Sequence, residues 1–118
     1  MTLAEAVYRQ ALRDGITVVA AHLQEVLGQR LVAYGVGLRN PKTVGTWARG
    51  GTPRHDAQQR LRDLYRTVLL LEAHERPDTI RAWLIGANPQ LEDQAPIELL
   101  RNGEVAAVFR AAEAFTEG

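Results

Sequence analysis

Residues 31–50 read LVAYGVGLRNPKTVGTWARG, and this order of apolar, glycine and polar positions decides the fold expected for the N-terminal half. Residues 31–34 predict a short helix, and the glycines after it predict a turn. Asn40 is a favourable N-cap, and Pro41 suits the first position of a second helix that runs to Ala48. A helix, a glycine-bearing turn and a second helix in this order are typical of a helix-turn-helix.

The second of these helices has one apolar and one polar side. Val44 and Trp47 lie three positions apart and are expected to face the core. The opposite side combines positive charge with hydroxyls, the chemistry that meets phosphates and base edges in the DNA major groove. We also expect free backbone amides at Asn40-Pro41, where a phosphate would bind. The predicted DNA contacts are Arg39, Asn40, Lys42, Thr43, Thr46 and Arg49, with Arg54 as a flanking phosphate contact.

The same segment has a plainer interpretation, a capped helix pair with solvated charges. The distribution of charge favours DNA instead. Residues 1–66 hold ten basic and five acidic side chains, whereas residues 67–118 hold four basic and nine acidic ones. A positive first half suggests a polyanionic partner. Gly45 is unfavourable inside the second helix, because Gly costs about 1 kcal/mol relative to Ala there.

Helix signals recur along the rest of the chain, and strand signals do not. Apolar positions at helical spacing, capping residues and prolines predict an all-α fold of about eight helices. The first helix spans residues 2–14 and begins with a Thr2-Glu5 capping box. The fifth opens at Thr52-Pro53 and is shared by two lobes, a helix-turn-helix half in residues 1–75 and a compact helical half in residues 76–118.

The composition argues against an enzyme. The chain has no cysteine and no serine, so it lacks disulfides and the usual Cys-His and Ser-His-Asp nucleophile systems. His22, His55 and His74 are too far apart in sequence for a local metal pair. We therefore predict a binding protein without cofactor or metal. No apolar run approaches the roughly 20 residues of a membrane span, and no signal peptide is apparent, so we expect a cytoplasmic protein.

Residues 82–103 read AWLIGANPQLEDQAPIELLRNG, and most of this pattern has a direct structural meaning. Asn88-Pro89 fixes a turn, after which Leu91 folds back as an anchor. Pro96 starts a short helix with buried leucines. Asn102-Gly103 is expected to end that helix as a left-handed C-cap and to redirect the chain into the last helix.

This region resembles the C-terminal domain of the Xre/ParS-type antitoxins that accompany RES-domain toxins. The family pattern is Trp-Leu, then Asn-Pro-x-Leu, then Pro-x-Glu-Leu-Leu-Arg-x-Gly. It is matched at Trp83-Leu84, at residues 88–91 and at residues 96–103. The helix-turn-helix is similar to the Xre half, although its turn at residues 35–40 is slightly longer than usual. The resemblance covers roughly residues 20–118 and leaves the first helix outside it.

The resemblance implies what the protein does. In this family the toxin degrades NAD, the antitoxin blocks the toxin's active site, and the complex represses its own operon. The implied partners are therefore a RES-domain toxin and operator DNA. We expect a homodimer, because one short helix reads few base pairs. The alternative is a free-standing helix-turn-helix transcriptional regulator whose C-terminal half only dimerises.

The toxin-binding surface is expected within residues 83–118. An NAD-cleaving pocket has to admit pyrophosphate and is expected to be basic, so acidic side chains near the C-terminus suit it, with an aromatic anchor beside them. We expect the last helix to span residues 104–115 and a short flexible tail to follow. The predicted toxin-binding residues are Trp83, Asn88, Leu91, Pro96, Leu100, Arg101, Asn102, Gly103, Phe109, Glu113, Phe115 and Glu117.

Overall fold

Eight α helices and one 3-10 turn make up the fold in the computed structural model, which describes residues 1–117. Within this range there is no β strand, so the predicted all-α class is confirmed. Among the described residues no helix is both long enough and apolar enough to cross a membrane. The helices are α1 (Leu3–Arg13), α2 (Ile16–Leu27), α3 (Gln29–Val36), α4 (Lys42–Ala48), α5 (His55–Glu72), α6 (Pro77–Ile85), α7 (Pro96–Arg101) and α8 (Val105–Glu117), with the 3-10 turn at Pro89–Leu91.

Several helix ends lie where the local sequence chemistry predicts them. The Thr2 hydroxyl accepts a hydrogen bond from the backbone N–H of Glu5 at 3.1 Å, which caps α1. Pro77 and Pro96 occupy the first positions of α6 and α7, where their missing N–H costs nothing. Gly103 has φ +84°, a left-handed conformation that suits glycine and lets the chain turn into α8.

The first helix of the helix-turn-helix is longer than predicted. α3 continues through Gly35 to Val36, and the turn begins at Gly37, whose φ of +81° ends the helix. The reason is packing against α7. A Cβ on Gly35 would lie 2.7 Å from Cδ1 of Ile97, so the glycine serves a close helix approach and not the turn. The turn therefore spans residues 37–41, and the prediction of residues 35–40 was wrong.

Two further boundaries differ from the prediction. α5 begins at His55 and not at residues 52–53, because Arg54 is still extended, with ψ 159°. α8 continues to Glu117, so residues 115–117 form its last turn and the predicted flexible tail was wrong for them. Gly118, the rest of that predicted tail, lies outside the described residues.

The core is built around α5. Helices α1, α2, α3, α6, α7 and α8 all contact it. The buried apolar side chains form one cluster that draws members from both sides of the predicted boundary at residues 75 and 76. The two predicted halves are therefore packed on a common core. Its largest fully buried side chains include Leu23, Leu61, Leu64, Leu71, Ile80 and Leu84.

Candidate nucleic-acid interface and protein-binding platform

α4 is held against the rest of the protein by its apolar side. Val44 is fully buried and Trp47 nearly so, as the spacing predicted. The helix packs mainly on α2 and also contacts α3. Because this side is fixed by the core, the opposite side of α4 is presented to solvent in one orientation.

Gly45 is explained by the same packing. It is buried against α2, and a Cβ at this position would lie 2.7 Å from the side-chain nitrogen of Gln29. That amide donates a hydrogen bond to the Gln24 side chain at 2.8 Å. The helix therefore accepts a residue of poor helix propensity so that α4 can approach this glutamine pair closely.

The solvent side of α4 and the turn before it carry the predicted basic residues. Arg39, Lys42, Thr46 and Arg49 are exposed. Ion pairs among the described residues join His22 to Glu72, Arg54 to Asp56 and Arg81 to Asp78, so none of them engages Arg39, Lys42 or Arg49. These three positive charges are thus available to an external anion. We call Arg39, Lys42, Thr46 and Arg49 the basic face.

Three predicted DNA contacts have different surroundings. Thr43 is only half-exposed, because it lies between the basic face and the packed side of α4. Arg54 faces Asp56 at 3.8 Å, and both side chains are strongly exposed. Asn40 uses its side-chain oxygen as a cap, accepting from the backbone N–H of Lys42 at 3.0 Å.

The start of α4 does not offer the free amides that were expected for a phosphate. Besides the N–H of Lys42, the N–H of Thr43 donates to the carbonyl of Asn40 and the N–H of Val44 to that of Pro41, each at 3.1 Å. That prediction was wrong because the Asn40-Pro41 cap satisfies these donors within the chain. Any anion contact therefore falls to side chains.

α3 is tied to α7 by a cluster of three polar side chains. The Tyr34 hydroxyl donates to the Glu98 carboxylate, and this hydrogen bond raises the pKa of Tyr34. The Arg101 guanidinium lies 4.5 Å from the centre of the Tyr34 ring and donates to the Tyr34 carbonyl at 2.8 Å. Arg101, predicted to bind the toxin, is thus already bound to the helix-turn-helix.

A cleft of about 360 Å³ lies between the end of α6, the following loop and the end of α8. Trp83 and Phe115 line it, with ring centres 6.0 Å apart and ring planes tilted by 43°. Phe115 is 41% exposed although it is a large apolar side chain. Glu113 is half-buried and Glu117 exposed, but both line a separate recess against α1 and α5, on the other side of α8 from Phe115. We call Trp83 and Phe115 the platform.

Five of the residues predicted to bind the toxin are buried in the chain itself. Asn88 is one of them. Its side chain accepts from the backbone N–H of Gln90 at 2.9 Å, and its backbone N–H donates to the Gln94 carbonyl at 3.2 Å. The direct toxin contacts predicted for these five residues are therefore corrected. The residues instead shape the loop, α7 and α8 beneath the surface, and they are Asn88, Leu91, Pro96, Leu100 and Phe109.

Phe109, which was predicted as an anchor for the toxin, is buried inside the fold. It is 4% exposed, and the Arg66 guanidinium lies 3.7 Å from its ring centre. This cation–π contact covers the ring from the solvent side. Of the two aromatic anchors proposed from the sequence, only Phe115 is accessible.

Two further residues predicted to bind the toxin are exposed. They are Asn102 and Gly103, at the corner between α7 and α8.

Sequence reasoning missed a polar cluster that joins α1, α2 and α5. The Tyr65 hydroxyl donates to the Asp14 carboxylate at 2.6 Å, which lowers the pKa of Asp14, while burial and this bond raise that of Tyr65 to about 12. His22 lies edge-on to the Tyr65 ring and 2.5 Å from Glu72. These partners are about fifty positions apart, so no local pattern links them. Among the described residues no three His, Asp or Glu side chains are grouped as metal ligands.

No family model, no curated protein and no solved structure matches this chain. Any assignment of function therefore depends on the geometry of the basic face and the platform, together with the motif resemblance in residues 82–103. The basic face offers three positive charges without an acidic partner among the described residues, and the platform offers an exposed aromatic side chain beside a cleft.

Proposed function

We propose that the protein is the antitoxin of a type II toxin–antitoxin system, which binds operator DNA through the basic face and neutralises an NAD-degrading RES-domain toxin through the platform. The observation that carries the proposal is the arrangement of α4. Its apolar side is fixed by Val44 and Trp47, while Lys42, Thr46 and Arg49 are displayed outward without an acidic partner among the described residues.

On DNA, α4 enters the major groove as the recognition helix. Lys42 and Arg49 contact phosphates or guanine edges, and the Thr46 hydroxyl contacts a base or a phosphate. Arg39 and Arg54 flank the helix and bind the backbone on either side of the groove. Since α4 has only seven residues, two copies related by a two-fold axis are needed to read a full site, with half-sites about one helical turn apart.

At the toxin, the platform supplies an aromatic anchor, and Glu113 and Glu117 supply negative charge from the other side of α8. Phe115 enters an apolar recess of the toxin, and Glu113 and Glu117 approach the basic groups that would otherwise hold the NAD pyrophosphate. The resemblance of residues 82–103 to the Xre/ParS-type antitoxins supports this assignment. The loop after α6 and helix α7 lie beneath the platform and hold the rings of Trp83 and Phe115 in position.

A free-standing transcriptional regulator is the second candidate. The accessible basic face supports it as strongly as it supports an antitoxin. In that case the C-terminal half only dimerises. The two candidates differ genetically, because an antitoxin gene lies beside the gene for its toxin and protects cells that express it. Loss of growth on expression of the neighbouring RES-domain protein, with growth restored by this chain, supports the antitoxin. A gene without such a neighbour, or a neighbour whose toxicity persists, contradicts it.

DNA binding is tested by two substitutions on the basic face. Lys42→Ala and Arg49→Ala are each expected to weaken binding to the DNA upstream of the gene about tenfold and to lower its salt dependence by about one counterion. Fluorescence anisotropy at several salt concentrations measures both quantities. Arg110→Ala removes an exposed positive charge on α8 and is the matched control. Unchanged affinity and salt slope in both α4 variants would remove this face from the interface.

A further inference from the structure

A second recess is separate from the platform. It is a groove of about 1030 Å³ between the corner of α2 and α3, the exposed side of α3 and the end of α6. Its floor includes Leu31, Tyr34, Leu38 and Ile85. Ile85 is 62% exposed at the end of α6. A groove with an apolar floor has the shape that accepts the apolar side of an amphipathic helix.

The charged side chains that line the groove are all basic. They are Arg30, Arg39 and Arg81, and the nearest acids, Asp78 and Glu98, lie outside the lining. Arg81 is held in place, because its Nη1 donates to the Val26 carbonyl at 2.7 Å and its Nη2 pairs with Asp78. The groove thus combines an apolar floor with a cationic rim, part of which is fixed before any partner arrives.

A second copy of the chain is a poor occupant. In a two-fold dimer the same patch meets itself, so the three arginines of one copy would face those of the other. Like charges brought together in this way oppose association. The nearby acidic residues do little to reduce this repulsion between copies, because Asp78 is already paired with Arg81 and the Glu98 carboxylate accepts from the Tyr34 hydroxyl.

We propose that this groove binds an acidic amphipathic helix from a partner protein. Such a helix lays an apolar stripe into a groove, and acidic residues beside the stripe pair with basic residues on the rim. The site differs from the platform and requires neither DNA nor a toxin. Arg39 belongs both to the rim and to the basic face, so a bound helix and DNA compete for it; this consequence alone rests on the proposed DNA binding.

The test uses two synthetic helical peptides and the full chain. One peptide has about 14 residues, with leucines at i, i+3, i+4 and i+7 flanked by glutamates, and the other has lysines in place of the glutamates. Fluorescence anisotropy is expected to give at least about tenfold tighter binding for the acidic peptide. Ile85→Glu is expected to abolish that preference by placing a charge on the apolar floor, and Arg30→Glu to reduce it.

Val18→Glu is the matched control, since Val18 is 57% exposed on α2 and does not line the groove. It should bind both peptides as the unmodified chain does, and circular dichroism should show the same helicity for all variants. Equal binding of the two peptides would overturn the proposal, as would acidic-peptide binding that Ile85→Glu leaves unchanged. Self-association of the unmodified chain that Ile85→Glu abolishes would show that a second copy fills the groove, which also overturns it.

Discussion

Asp14 connects the end of α1 to α5 through both its side chain and its backbone. Its carboxylate accepts from the Tyr65 hydroxyl, and its carbonyl accepts from Arg62 at 2.6 Å. The Tyr65 hydrogen bond is the main reason that the pKa of Asp14 lies below its ordinary value of 3.8. The charged form of Asp14 therefore stabilises the fold at neutral pH, and this contribution disappears as the pH falls through the lowered pKa.

We expect Asp14→Asn to lower the free energy of unfolding by about 1 kcal/mol at neutral pH, which is less than is usual for a hydrogen bond to a charged group because Asp14 is partly exposed. The difference from the unmodified chain should begin to shrink as the pH falls below about 4, where Asp14 is protonated in the unfolded chain, and should vanish below the lowered pKa of the folded state. Urea denaturation across this range measures it. Asp93→Asn, at an exposed loop position, should have no such effect. A difference that is constant with pH would assign the loss to packing.

At the scale of helices, local chemistry in the sequence was enough for most of the fold. Asn40 and the spacing of Val44 and Trp47 placed α4 and its buried side correctly. Gly35, which was predicted in the turn, and Gly45, which is unfavourable inside a helix, both sit where another helix approaches closely. In the sequence, a glycine can indicate either a turn or a close approach of two helices. Only the tertiary contact distinguishes the two.

Gly35 tests this interpretation. In an open helix, Gly→Ala stabilises by about 1 kcal/mol, but here the new Cβ would meet Cδ1 of the buried Ile97. We expect Gly35→Ala to lower the free energy of unfolding by about 1 kcal/mol, because overpacking outweighs helix propensity. Ile97→Val removes the clashing methyl and should restore stability in the double variant. Simple additivity of the two single changes in thermal unfolding would mean that they are not in contact.

The candidate site was only partly predictable. The basic face follows from helical periodicity, since a buried Val44 and Trp47 force their neighbours outward. The platform does not, because the sequence motif contains mostly residues that are buried. Burial of Phe109 under Arg66 joins two helices that are distant in sequence, so periodicity alone could not separate it from the accessible Phe115.

The last turn of α8 is where the platform can be altered without disturbing the core. Phe115→Ala combined with Glu117→Lys removes the aromatic anchor and reverses one charge at exposed positions. We expect this variant to keep its helicity and to lose protection of cells against the cognate toxin, because truncating a central aromatic anchor costs about 2 kcal/mol or more. Glu104→Lys, an exposed charge reversal outside the platform, is the control. Full protection by the double variant would exclude this turn from the inhibitory contact.

The whole molecule joins a positive first half and a negative second half on one core. α5 contacts helices from both halves, and α7 packs on α3 at Gly35. Neither the basic face nor the platform is therefore mechanically independent. The Tyr34, Glu98 and Arg101 cluster adds polar contacts between the same two helices.

The shared core leads to a prediction about the fragment of residues 1–75, which contains the whole helix-turn-helix. Without α6, α7 and α8 the fragment would expose the sides of α3 and α5 that these helices cover, including Gly35 and Leu64, which both pack near Ile97. We expect the fragment to have reduced helicity and no cooperative thermal transition, because its apolar surface has lost its partner. Circular dichroism during heating, with the full chain as the control, measures this.

A fragment that unfolds cooperatively and binds the upstream DNA with the affinity of the full chain would instead establish two independent domains. The common core would then be only an interface between them.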